Sequence, residues 1–142
     1  MFQTKSKGFT LVEILVVMAI LGVLATLALP SFLRSKVNSN ESVAKSSMRT
    51  YSTALENYRS AQNPPAYPPD LNTLVTSTPP YLDTVMGSGT HRGYRFTYTF
   101  VSVTRYTITA TPQIPNVTGI NTYFVDESGG IRLNNANGQA IE

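Results

Sequence analysis

From Ile14 to Leu29 the chain carries no charged residue, and with residues 9–12 added the apolar stretch is about 20 residues long. That is the length a helix needs to cross a bilayer. A helix on the surface of a soluble core would place polar side chains on its outer face. This stretch has no such face, so it must meet lipid or other protein. Lys5 and Lys7 precede it, and Arg34 and Lys36 follow it, so flanking charge alone does not orient it.

Three ordinary kinds of segment compete for such a run. A cleaved secretory signal fits the two lysines, but the run exceeds the usual h-region and no A-x-A site follows it. A lipoprotein signal needs a cysteine, and the chain has none. A plain anchor leaves Glu13 unexplained, because a carboxylate in the apolar zone costs about 3 kcal/mol on insertion scales. Such residues usually have a partner.

Lys7-Gly8-Phe9-Thr10-Leu11-Val12-Glu13 resembles the type IV prepilin cleavage motif: a short basic leader ending in Gly, then Phe, then Glu at the fifth mature position. The resemblance implies that a prepilin peptidase cuts between Gly8 and Phe9 on the cytoplasmic side and that the new Phe9 amine is methylated. It implies that Glu13 pairs with the Phe9 amine of a neighbouring subunit during assembly. Gly22 and Pro30 fall where this family carries a helix-weakening Gly and Pro. The implied precursor is a single-pass protein of the inner (cytoplasmic) membrane, its C-terminal domain outside. Its implied partners are the lipid bilayer, the pilus assembly machinery, copies of itself and other pilins. The physics agrees with the motif. Glu13 lies one turn into the helix, where the macrodipole favours negative charge. Removing one member of a buried ion pair costs about 3–5 kcal/mol.

Past Pro30 the pattern changes. Val37, Ala44, Met48, Tyr51, Leu55 and Tyr58 recur at spacings of seven, four, three, four and three, one apolar stripe on a helix. A helix from Phe9 to Ala61 is expected, about 80 Å long. Glu41 and Lys45 are spaced as an i,i+4 pair. The proline-rich stretch from Asn63 to Pro69 ends the helix. A short helix at Leu71–Val75, capped by Asp70, and a flexible Gly87-Ser88-Gly89 link follow. Then the period becomes two. Tyr94, Phe96, Tyr98 and Phe100 share one strand face; further strands are expected at Arg105–Thr111, Thr122–Asp126 and Ile131–Leu133.

The expected fold is α+β: a long N-terminal helix packed on a three- to four-stranded C-terminal antiparallel sheet, which is also pilin-like. The expected organisation is a leader at 1–8, a transmembrane or assembly half at 9–33, an amphipathic half at 34–61 and a sheet domain at 62–142.

No catalytic constellation is legible. No G-x-S-x-G, P-loop, H-E-x-x-H or paired-cysteine motif occurs. His91 reads as a solvated loop residue and Asp126-Glu127 as a hairpin turn with too few ligands for calcium. The expectation is a non-enzyme with no cofactor and no metal. Without Lys5 and Lys7, nine bases face eight acids, which is no footprint for nucleic acid. Charged residues are 13% of the chain, about half the usual fraction. The sequons at Asn40 and Asn116 carry little weight.

Within the resembled family the chain has no Trp for the Asp-Pro-Trp-Gly-like calcium loop of major secretion pseudopilins. It has no cysteine for the C-terminal disulfide of many pilus subunits. Glu13 is the residue that tip-initiating minor pseudopilins often lack. A type IV pilus subunit serving adhesion, twitching motility or DNA uptake is favoured, with a type II secretion pseudopilin second. A membrane-anchored binding module that never polymerises is the alternative from another class, and it has no use for Glu13.

Overall fold

A computed structural model describes residues 8–141. The leader residues 1–7, with Lys5 and Lys7, lie outside the described residues. The chain forms two compact units, dividing between Ser35 and Lys36. One helix, α1 (Leu11–Ala61), contributes to both.

α1 starts two residues later than the apolar pattern suggests, and local chemistry explains why. Thr10 stays outside the helix and its Oγ1 accepts a hydrogen bond from the Glu13 backbone N–H at 3.2 Å. The Thr10 carbonyl accepts from Ile14 N–H at 3.3 Å. Thr10-x-x-Glu13 is the sequence form of a capping box. The helix stays unbroken through Gly22 and Pro30, although Pro30 contributes no N–H to the ladder. In the first unit every residue from 8 to 35 is exposed. An 18-residue window of α1 has mean hydropathy 2.6, and this is the one helix among the described residues long and apolar enough to span a membrane.

In the second unit the stripe of α1 is buried. Val37, Ala44, Met48, Tyr51 and Leu55 are at most 7% exposed, and Ser47 and Ala54 join them. Tyr58 sits at the margin, its ring edge-on to Tyr81 at 5.6 Å. The stripe packs on an antiparallel meander of five strands in sequence order: β1 (Thr90–His91), β2 (Tyr94–Ser102), β3 (Arg105–Pro112), β4 (Tyr123–Asp126) and β5 (Arg132–Leu133). Register pairs Phe96 with Ala110, Tyr98 with Ile108, and Ile108 with Val125. These residues therefore share the face turned to α1, while Arg95 and Thr97 alternate to the outside. The aromatic row of β2 divides along its length. Tyr94 and Phe96 are buried, Tyr98 half-buried, and Phe100 exposed where the register shifts at the hairpin tip.

The short elements largely follow their caps. Asp70 caps α2 (Leu71–Thr76) by accepting from Thr73 N–H at 2.8 Å. The expected Gly87-Ser88-Gly89 link is more ordered than that: Gly87 closes α3 (Thr84–Gly87), which Asp83 caps through Met86 N–H at 2.7 Å. The sheet has one strand more than expected. β1 is only two residues long, and its pairing with β2 rather than any period creates it.

Candidate assembly site

The motif residues lie at the start of α1. Gly8 and Phe9 precede the helix, and Phe9 is 80% exposed. Thr10 caps it, and Glu13 stands in the first turn, its N–H held by the cap. A cut at the Gly8–Phe9 bond would break no helical hydrogen bond, because the ladder begins at the Thr10 carbonyl. Gly22 and Pro30 lie further along the same helix.

Neither Gly8 nor Gly22 is demanded by packing. A Cβ built on either meets nothing within 4 Å, and neither has positive φ. Glycine inside a helix costs about 0.5–1 kcal/mol relative to alanine. Gly22 therefore weakens the helix with no return inside the chain.

A second cluster was not legible in the sequence. Glu41 of α1 reaches across to the β3–β4 loop. Its Oε1 accepts from the backbone N–H of Ile120 at 2.8 Å and of Asn121 at 3.0 Å. Its carboxylate also accepts from Asn121 Nδ2 and from Tyr123 Oη at 3.2 Å. Partial burial alone would raise the Glu41 pKa, but these hydrogen bonds outweigh it and hold the carboxyl below its ordinary range. Beside it, Asn40 Nδ2 donates to the Thr118 carbonyl at 2.9 Å. Gly119 lies against the Tyr94 ring, where a Cβ would collide. The expected Glu41–Lys45 pair is absent from the ion pairs among the described residues, because the loop takes the carboxylate. No local signal points to partners about 80 residues away.

His91 is not the solvated loop residue its Gly/Ser-rich surroundings suggest. It lies on β1, stacked on Phe96 at 4.5 Å, with Nε2 2.8 Å from Ser47 Oγ and a buried Nδ1 without a partner. Burial lowers its pKa, with Asp83 opposing and Arg92 adding to the shift. The Asp126-Glu127 turn is as expected. Asp126 binds Arg132 at 2.8 Å and the Ser128 N–H, and Glu127 binds Arg105 at 3.0 Å. Among the described residues no three His, Cys, Asp or Glu cluster as metal ligands would. The Asn40 sequon amide is occupied by Thr118, while Asn116 is exposed.

Residues 3–29 match the family described as the prokaryotic N-terminal methylation motif. The chain is 36% identical over 62 residues to the type IV major pilin protein PilA of Myxococcus xanthus, covering 44% of this chain and 28% of that protein. It is 38% identical over 73 residues to the type II secretion system core protein G of Pectobacterium carotovorum, covering 51% of this chain and 47% of that protein. Against the core protein G of Escherichia coli the identity is 40% over 55 residues, covering 39% and 38%. The chain thus spans less than half the length of each of these relatives. No solved structure matches it.

Proposed function

We propose that this chain, which carries the prokaryotic N-terminal methylation motif, is the structural subunit of a type IV pilus filament. In this reading prepilin peptidase cuts at Gly8–Phe9 and methylates Phe9, and the chain then polymerises through α1. One observation carries it: the first part of α1, through Ser35, is exposed throughout and carries a single carboxylate, Glu13, in its first turn. A monomeric anchor needs only apolar length. The Glu13 charge needs a partner in the membrane, and the cationic Phe9 amine of a neighbouring copy supplies one. Before assembly the chain spans the inner membrane with its second unit outside; afterwards it stands on the cell surface. Adhesion, twitching motility or DNA uptake would be the filament's work.

A second reading has its own support. The similarity to core protein G of type II secretion systems covers as much of this chain as the similarity to PilA, so a secretion pseudopilus is the competing filament. Deleting the gene in its native host separates the two: loss of sheared surface fibres marks a pilus, and loss of an exported enzyme marks secretion. For either filament, Glu13→Ala should lower the incorporated subunit at least tenfold while leaving membrane levels unchanged, read by immunoblot of sheared and membrane fractions. Normal incorporation of the variant would refute the role of Glu13. N-terminal sequencing of the mature chain should read methylated Phe9.

A further inference from the structure

The second unit exposes two clusters of large apolar side chains besides its buried core. Phe100, Val101 and Val103 form the β2–β3 hairpin tip, exposed by 41 to 57%. Ile114, Val117 and Ile120 lie on the β3–β4 loop, exposed by 55 to 65%. Single exposed apolar residues need no explanation, but grouped ones mark contact surfaces. The two clusters sit at opposite ends of this unit's part of α1. The loop is tied to Asn40 and Glu41, where that part begins. The tip is tied to the residues just past its end, through Tyr67 N–H to the Val103 carbonyl at 3.0 Å. About 20 helical residues separate the two levels, roughly 30 Å.

We infer that the second unit carries a heterologous contact between copies of this chain, in which the hairpin tip of one copy docks on the β3–β4 loop of the next. Two different clusters at opposite ends of one unit suit head-to-tail association, which leaves a free tip and a free loop after every addition and so grows an open filament. A self-complementary dimer would need only one of them. Both clusters are held in advance, the loop by Glu41, Asn40 and Gly119, the tip by Tyr67, so docking orders little backbone. Ser102 and Thr104 at the tip and Asn116 and Thr118 on the loop are uncharged, and Arg105, which flanks the tip, is paired with Glu127 at 3.0 Å, so like charges do not oppose the contact. Phe100 is the aromatic anchor. The contact rests on the filament reading and names the second place, beside α1, where copies meet.

The absence of native cysteine makes the test clean. The full-length chain carrying V101C and V117C together is expressed in its native host in place of the wild type, and sheared fibres and membranes are treated with a mild oxidant. Non-reducing gels should show a ladder of dimers, trimers and higher multimers. V101C alone and V117C alone should stay monomeric. A second pair, V103C with I114C, guards against one poorly angled thiol pair. Fibres that assemble but give no ladder with either pair overturn the contact and leave the filament reading standing. Single variants that cross-link to dimers also overturn it, because they place like clusters together. Absence of fibres from the wild-type chain, present and processed in the same host, overturns the filament reading and with it the contact that rests on it.

Discussion

The two units use one helix under opposite conditions. From Leu11 to Ser35 its side chains are all exposed, and from Ile14 to Leu29 they carry no charge on any side; from Val37 to Leu55 a narrow stripe is buried under a sheet and the other faces are polar. The backbone is the same α-helix throughout. The distribution of apolar side chains around it, and not helical propensity, decides what each part needs as surroundings. The second part finds its cover in its own chain and is a folding problem. The first part finds none in its own unit and poses an assembly problem.

The sharpest way to break that comparison is a pair of matched truncations. Leu55→Ala removes a fully buried side chain and should destabilise the second unit by about 2–5 kcal/mol. Leu24→Ala, in the exposed part, should change the same transition by less than about 0.5 kcal/mol. Denaturant titration of the detergent-solubilised chain, followed by tyrosine fluorescence, measures both. Equal effects would show that the exposed part is coupled to the core.

A smaller effect is expected at the Glu41 clamp. Glu41→Gln keeps the shape but loses the charge-assisted bonds, and should cost about 1–2 kcal/mol. Its pH dependence identifies it. The Glu41 carboxyl lies below its ordinary value of 4.5 in the folded chain, so its contribution is present above that value and is lost as pH falls through the lowered one. The wild type should therefore lose its advantage over E41Q on acidification below about pH 4.5. A gap that does not narrow in acid would assign the effect to packing.

The smallest effect belongs to Gly22→Ala. With open space around the missing Cβ, the helix should gain about 0.5–1 kcal/mol. Circular dichroism in detergent should show later melting of helix signal without a shift in the sheet transition. An unchanged melting curve would mean that detergent already holds Gly22 as firmly helical as alanine.

Periodicity made the main elements of the fold legible. The seven-four-three-four-three spacing marked the buried stripe, and the alternation from Tyr94 marked the strand that covers it. Its reach ended where contacts, not patterns, decide. β1 consists of two residues that exist as a strand because β2 lies beside them. His91 is half-buried because α1 and Phe96 enclose it. Glu41 looked like one half of a local ion pair, and its true partners come from the far end of the chain. Phe100 alternates faultlessly with its buried neighbours and stays in register with Tyr106, yet beside the hairpin tip it is left exposed. At the candidate assembly site the motif is local, and residues 3–29 match the N-terminal methylation motif as a run. Thr10 was the residue overlooked, although Thr10-x-x-Glu13 carried the capping signal.

The bare first part of α1 also bears on how a filament of such subunits would exchange material. Moving it into water costs at least about 1.5 kcal/mol for each large apolar side chain, and those run almost without interruption from Leu11 to Leu29. The sum exceeds 10 kcal/mol, about seven powers of ten in concentration. Free subunits in the surrounding medium would be vanishingly scarce. Growth and shrinkage would run through the bilayer at the filament's base, and a fragment sheared from the surface would keep its length instead of dissolving from its ends.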